Sequence, residues 1–119
     1  MNVGLTELVP VEVRDLLASG KVLLVDVREP VEFASERIHG AFLYPMSTFD
    51  ATQLPTDGSR RVVFYCGSGK RSLNAARLRL ATGQPASHMV GGIGAWKDAG
   101  LPLIRIDPAS GRILDTGRA

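Results

Sequence analysis

Apolar residues alternate along this chain between helical spacing and continuous short runs. Between Val9 and Gly20, Val13, Leu16 and Leu17 recur at helical spacing, with Pro10 suited to a first turn and Gly20 to an end, which predicts a short helix. Val22-Leu23-Leu24-Val25 is an unbroken apolar run of strand length that stops at Asp26, the pattern of a strand covered on both faces. The alternation then repeats. Pro30–Arg37 reads as a short helix, Ala41–Tyr44 as a strand, Ser47–Gln53 as an irregular turn or helix, and Arg61–Tyr65 as the clearest strand. Ser72–Ala81 reads as a helix with Leu73, Ala76 and Leu80 along one side and Ala75 and Leu78 adding to the buried surface. Ser87–Val90 follows as a strand, and Ile93–Ala99 as a short helix around Trp96, which reads as a core residue.

Strands and helices alternating over 119 residues imply an α/β fold: a small, mostly parallel sheet of about five strands with helices on both faces. The expected division is one domain over residues 1–103 and a C-terminal extension over 104–119. In that extension Leu103–Ile106 and Arg112–Leu114 read as two short strands around a turn, with a flexible tail as the competing expectation.

Composition narrows the class. With 45% hydrophobic and 22% charged residues the chain is an ordinary globular protein. Its one cysteine, Cys66, excludes an intrachain disulfide, and one thiol with two distant histidines makes no clustered metal site. No apolar stretch reaches the roughly eighteen residues a bilayer span needs, and Met1–Pro10 lacks the features of a signal peptide. The expected location is the cytoplasm, with no membrane partner.

Charge changes the picture more. Residues 1–57 carry nine acids and four bases, whereas residues 58–97 carry no acid and seven bases: Arg60, Arg61, Lys70, Arg71, Arg77, Arg79 and Lys97. The stretch holding the cysteine is thus a positive field suited to small anions. Its few aromatics and lack of a basic-aromatic repeat argue against nucleic acid.

In open parallel sheets ligands bind beyond the carboxyl ends of the strands. Cys66 stands there, directly after an apolar strand, and is followed by Gly67, Ser68, Gly69, Lys70, Arg71 and Ser72. Two alternate glycines let the backbone turn several N–H groups toward one centre. The following helix N-terminus and the charges of Lys70 and Arg71 favour the thiolate, a nucleophile that needs no general base. A second polar strand end, Asp26-Val27-Arg28-Glu29, with Glu32 behind it, reads as a brace of ion pairs and helix caps around that loop rather than as acid–base catalysts. His39 and His88 read as a loop residue and a strand residue without a catalytic part. Gly91 and Gly92 read as sites of close backbone approach beside the loop.

The loop C-x-x-G-x-R-S after a hydrophobic strand resembles the active-site loop of rhodanese-type sulfurtransferases. Asp26-x-Arg28 with Glu32-Phe33, Ile38-x-Gly40-Ala41 with Pro45, and Gly91-Gly92 through Trp96 to Gly100-Leu101-Pro102 resemble further segments of that family, in order and over about Pro10–Leu103. Arg37 and His39 stand where the family commonly has histidine and proline, and Leu43 where it often has asparagine. Cys66-Gly67-Ser68-Gly69 looks like the mercaptopyruvate-using branch, Lys70-Arg71-Ser72 like single-domain thiosulfate-using members.

The resemblance implies that residues 1–103 form a rhodanese-like domain. It implies that Cys66 takes a sulfane sulfur from a small anionic donor such as thiosulfate, as a persulfide, and passes it to an external thiol, cyanide or a partner protein's thiol, with no cofactor. Residues 67–72 would bind the donor, with Lys70 and Arg71 on its sulfonate end. One alternative is a persulfide carrier or partner-binding module. Another is a cysteine phosphatase or arsenate reductase, although those generally place five residues between cysteine and arginine, and here there are four.

Overall fold

A computed structural model describes residues 4–116. In chain order the elements are β1 (Leu5–Leu8), α1 (Pro10–Ala18), β2 (Val22–Asp26), α2 (Pro30–Ser35), β3 (Glu36–Arg37), β4 (Phe42–Leu43), a 3-10 turn (Met46–Thr48), β5 (Arg61–Tyr65), α3 (Lys70–Leu80), β6 (Ala86–Met89), α4 (Gly92–Asp98), β7 (Leu103–Ile106) and β8 (Ile113–Thr116). Five strands make one all-parallel sheet in the order β1-β6-β5-β2-β4, as the alternation predicts.

β5 is the middle strand, which explains its unbroken apolar run: both faces are covered. Val63 and Tyr65 enter one core with Val13 of α1 and Ile93 and Trp96 of α4. Val62, Phe64 and Cys66 enter the other with Ala75 and Ala76 of α3. The period-two alternation of the strand therefore delivers Cys66 to the α3 side.

Both short N-terminal helices start the way their sequence suggests. Pro10 and Pro30 occupy first-turn positions, and a glutamate three residues past each cap accepts the cap's backbone N–H: Glu12 from Val9 at 2.9 Å and Glu32 from Glu29 at 3.0 Å.

The structure corrects several boundaries. α2 ends at Ser35, because Glu36 and Arg37 pair antiparallel with Arg105 and Ile104 of β7 and the Arg28 guanidinium holds the Glu36 carbonyl at 2.7 Å. Tertiary pairing there outweighs helix propensity. α3 begins at Lys70 rather than Ser72, and Leu78 is 43% exposed; the buried face is Ser72, Ala75, Ala76 and Arg79, small residues apart from Arg79, which bring the helix close to the sheet. The Arg79 Nε donates to the Pro85 carbonyl at 2.9 Å. β1 lies outside the elements that the apolar pattern predicts, since Leu-Thr-Glu-Leu is short and half polar, as an edge strand can be. β4 is trimmed to two residues and β6 begins one residue earlier than expected.

The chain beyond the parallel sheet is ordered as a hairpin. β7 pairs with β8 around a turn closed by Asp107 and Arg112, and β3-β7-β8 form a second, three-stranded sheet. Among the described residues no helix is long and apolar enough to cross a membrane.

Candidate active site

Cys66 leaves the carboxyl end of β5, and the chain turns at once into α3. The turn requires glycine at position 69: its φ is +113°, in the left-handed region, and it caps α3. That conformation aims the Gly69 N–H at the sulfur, 3.1 Å from Sγ, and the Ser72 N–H follows at 3.4 Å. The Ser72 hydroxyl lies 3.6 Å from Sγ. Burial pushes the Cys66 thiol up, but the amide and hydroxyl of Ser72 and the amides of Gly69 and Ser68 outweigh it, so the thiol titrates below its ordinary value.

The second wall of the loop is the start of α4. The N–H groups of Ile93 and Gly94 donate to the carbonyls of Cys66 and Gly67 at 2.9 and 3.2 Å. A Cβ on Gly92, whose φ is +60°, would come within 2.4–2.6 Å of the Cys66 and Gly67 backbone, so the close approach expected of the Gly91-Gly92 pair is made by Gly92.

The structure sorts the basic loop residues. Lys70 is exposed and makes no ion pair among the described residues. Arg71 is held by Glu32, Nη1 to Oε1 at 2.8 Å and Nη2 to Oε2 at 3.1 Å, with its guanidinium beside Gly67. That contact, then desolvation working against it and the Glu29 N–H, leave the Glu32 carboxyl lowered to about 2. Glu32 thus braces the cysteine loop while capping α2.

Asp26 and Arg28 brace a different place. They form a buried ion pair at 2.8 Å, the Arg28 N–H also donates to Asp26 at 2.9 Å, and the guanidinium lies over the Tyr65 ring. Burial lowers the Arg28 guanidinium's pKa, but hydrogen bonding and charge from Asp26 outweigh it and hold it above its ordinary value. The pair fixes the corner between α2 and β3 through the Glu36 carbonyl and makes no hydrogen bond to residues 66–72. Tyr65, whose hydroxyl accepts the Ile38 N–H at 3.3 Å, has its phenol pushed up by burial and then by Asp26.

His88 is in a strand, as expected, but it is not apart from the site. Its Nδ1 is 3.1 Å from the Ser72 hydroxyl and its Nε2 is 3.0 Å from Glu7 Oε2. Nothing local in the sequence marks this, because Glu7 lies on the strand that the pattern did not reveal. His39 is exposed before β4.

Residues 9–99 match the family model described as a rhodanese-like domain. The chain is 42% identical over 97 residues to a Synechocystis sp. protein described as uncharacterized, covering 81% of this chain and 54% of that protein. It is 44% identical over 93 residues to the probable adenylyltransferase/sulfurtransferase MoeZ of Mycobacterium tuberculosis, covering 73% of this chain and 23% of that protein. The chain therefore spans about half of the first and about a quarter of the second. A solved thiosulfate sulfurtransferase from Pseudomonas aeruginosa superimposes with a TM-score of 0.75 at 25% identity, over 82% of this chain and 20% of that one.

Proposed function

Because the chain belongs to the rhodanese-like domain family, we propose that it is a sulfurtransferase in which Cys66 carries the sulfur as a persulfide. The observation that carries this reading is the Cys66 sulfur set at a helix N-terminus, accepting N–H groups from Gly69 and Ser72. These donors favour a thiolate and would equally hold the charge of a persulfide, which is electrostatic preorganisation.

With thiosulfate as donor, the Cys66 thiolate attacks the outer sulfur, a new S–S bond forms, and the donor's own S–S bond breaks with its electron pair leaving on sulfite. An external nucleophile then attacks the outer sulfur of the persulfide and the Cys66 thiolate departs. The acceptor is a thiol from outside the chain, or cyanide in an assay, because Cys66 is the sole cysteine. Gly67, Ser68 and Gly69 present backbone to the donor, and Lys70, an exposed cation with no ion-pair partner among the described residues, is free to meet its sulfonate end. Arg71, matched by Glu32, acts first as the loop's brace. The relatives named sulfurtransferases support this class of chemistry.

The test is intact mass after incubation with thiosulfate, with thiosulfate:cyanide transfer measured alongside. The expected results are a gain of one sulfur on the native chain, turnover, and loss of both in Cys66→Ser with the fold retained. A sulfur gain without turnover would leave a persulfide carrier. Turnover by Cys66→Ser would overturn the reading, as would aryl phosphate hydrolysis matching sulfur transfer, which four residues between Cys66 and Arg71 are expected to prevent by crowding a phosphoryl group's oxygens.

A further inference from the structure

The sulfur of Cys66 has an inner neighbour that the loop does not explain. Sheet register sets Glu7 of β1 and Phe64 of β5 on either side of His88 of β6, so all three side chains leave the same face, the one covered by α3. Cys66, two residues past Phe64, shares that side, and fully buried Ser72 of α3 meets it from above. The Ser72 hydroxyl lies 3.6 Å from Sγ and 3.1 Å from His88 Nδ1, and His88 Nε2 lies 3.0 Å from Glu7. Cys66, Ser72, His88 and Glu7 therefore form a file running from a buried sulfur to a carboxylate that is 60% exposed at the sheet edge.

We propose that this file receives the proton of the Cys66 thiol, with His88 as its positioning residue and acceptor and Glu7 as its anchor. The proposal rests on the reading of Cys66 as the nucleophile. The Glu7 carboxylate accepts the Nε2 hydrogen, which leaves the lone pair of the neutral imidazole on Nδ1, facing Ser72. The thiol proton passes to Ser72 Oγ as the Ser72 hydroxyl proton passes to Nδ1. One S–H and one O–H bond break, one O–H and one N–H bond form, and no electrons change hands. The product is a thiolate beside an imidazolium matched by Glu7. In that state Nδ1–H donates to Ser72 Oγ and the Ser72 hydroxyl donates to the thiolate. In the neutral state the same hydroxyl has Nδ1 and the Gly69 carbonyl, at 3.2 Å, as alternative acceptors.

The groups that bear on this equilibrium come from each packed element. β1 contributes Glu7, β5 contributes the non-titrating Phe64, and α3 contributes Ser72 and Arg71, the latter matched by Glu32 of α2. Were the loop amides and Arg71 sufficient, His88 would serve packing alone, and its removal would leave the titration of Cys66 where it was.

The experiment is the pH dependence of Cys66 alkylation by iodoacetamide, followed by intact mass on the full chain, on His88→Asn and on Glu7→Gln. The expected result is a midpoint higher by about one pH unit in His88→Asn, hence alkylation about threefold slower below the midpoint, and a smaller rise in Glu7→Gln. The limiting rate at high pH should not fall and should rise by up to about threefold, since a more basic thiolate in the same loop is the stronger nucleophile. A folded His88→Asn variant with an unshifted profile would overturn the proposal. Should His88→Asn fail to fold, Glu7→Gln at the exposed edge decides, and an unshifted profile there overturns it equally. Sulfur transfer by the native chain with unshifted variants would sink the file alone. Shifted variants of a chain that transfers no sulfur would sink the sulfurtransferase reading alone.

Discussion

Glu32 and Arg71, 39 residues apart in the chain, meet as a two-point ion pair at 2.8 and 3.1 Å. The pair joins the first turn of α2 to the first turn of α3, and so fixes the cysteine loop from outside. It also decides how much of the local positive field a substrate meets, because one of the two adjacent cations is already matched.

A kinetic prediction follows from that asymmetry. Lys70→Gln should raise KM for thiosulfate by about threefold, and Glu32→Gln should lower it by a similar factor by releasing the Arg71 charge. Added salt should act like Lys70→Gln by screening, and an uncharged sulfane donor should respond much less. Equal responses to charged and uncharged donors would assign both cations to structure alone.

The same pair predicts an acid-dependent loss of stability. Glu32 titrates at about 2 in the fold, chiefly through Arg71, against an ordinary 4.5. A depressed carboxyl contributes stability that is complete above the ordinary value and is lost as pH falls from there through about 2. Both side chains are over a third exposed, so the contribution is at most about 1 kcal/mol. Urea midpoints at about pH 5 and about pH 3 should differ more for the native chain than for Glu32→Gln.

The buried Asp26–Arg28 pair should behave differently. Arg28→Ala strands a fully buried carboxylate and should cost about 3–5 kcal/mol in urea denaturation. Replacing both residues by apolar ones of similar volume should cost clearly less. A single substitution within about 1 kcal/mol of the native chain would show that water or another residue replaces Arg28.

Gly92→Ala tests the contact between α4 and the loop. Its Cβ would strike the Cys66 and Gly67 backbone, and its φ of +60° is strained for alanine. The expected outcome is a loss of roughly 2 kcal/mol or more and at least about a tenfold fall in kcat. Gly100→Ala, with φ +72° and open space around it, should cost only about 1 kcal/mol and leave kcat alone. Matching behaviour of the two variants would refute the close approach.

Much of this protein was legible in sequence because the relevant order is local. A continuous apolar run such as Val62-Val63-Phe64-Tyr65 marks a strand covered on both faces, and the polar residues directly behind it mark the carboxyl end, beyond which sheets of this kind bind ligands. Gly69, three residues past Cys66, marks a turn that needs a permissive backbone, and in its left-handed conformation it aims its N–H at the sulfur. Most of the elements, their alternation and the thiol's setting follow from neighbours within a few residues.

What tertiary structure alone decided are the partners brought together by strand order. β1 is first in sequence and lies beside β6, so Glu7 reaches His88 across 81 residues, and no periodicity within either segment encodes that meeting. The same holds for Arg71 choosing Glu32 over open solvent, for Glu36 leaving a helix to pair with β7, and for Arg79 taking a buried position on α3 while Leu78 stays outside. The hydrophobic pattern sets which face of an element is buried. Which polar groups meet on that face depends on register between segments distant in sequence, and it is fixed only once the sheet has formed.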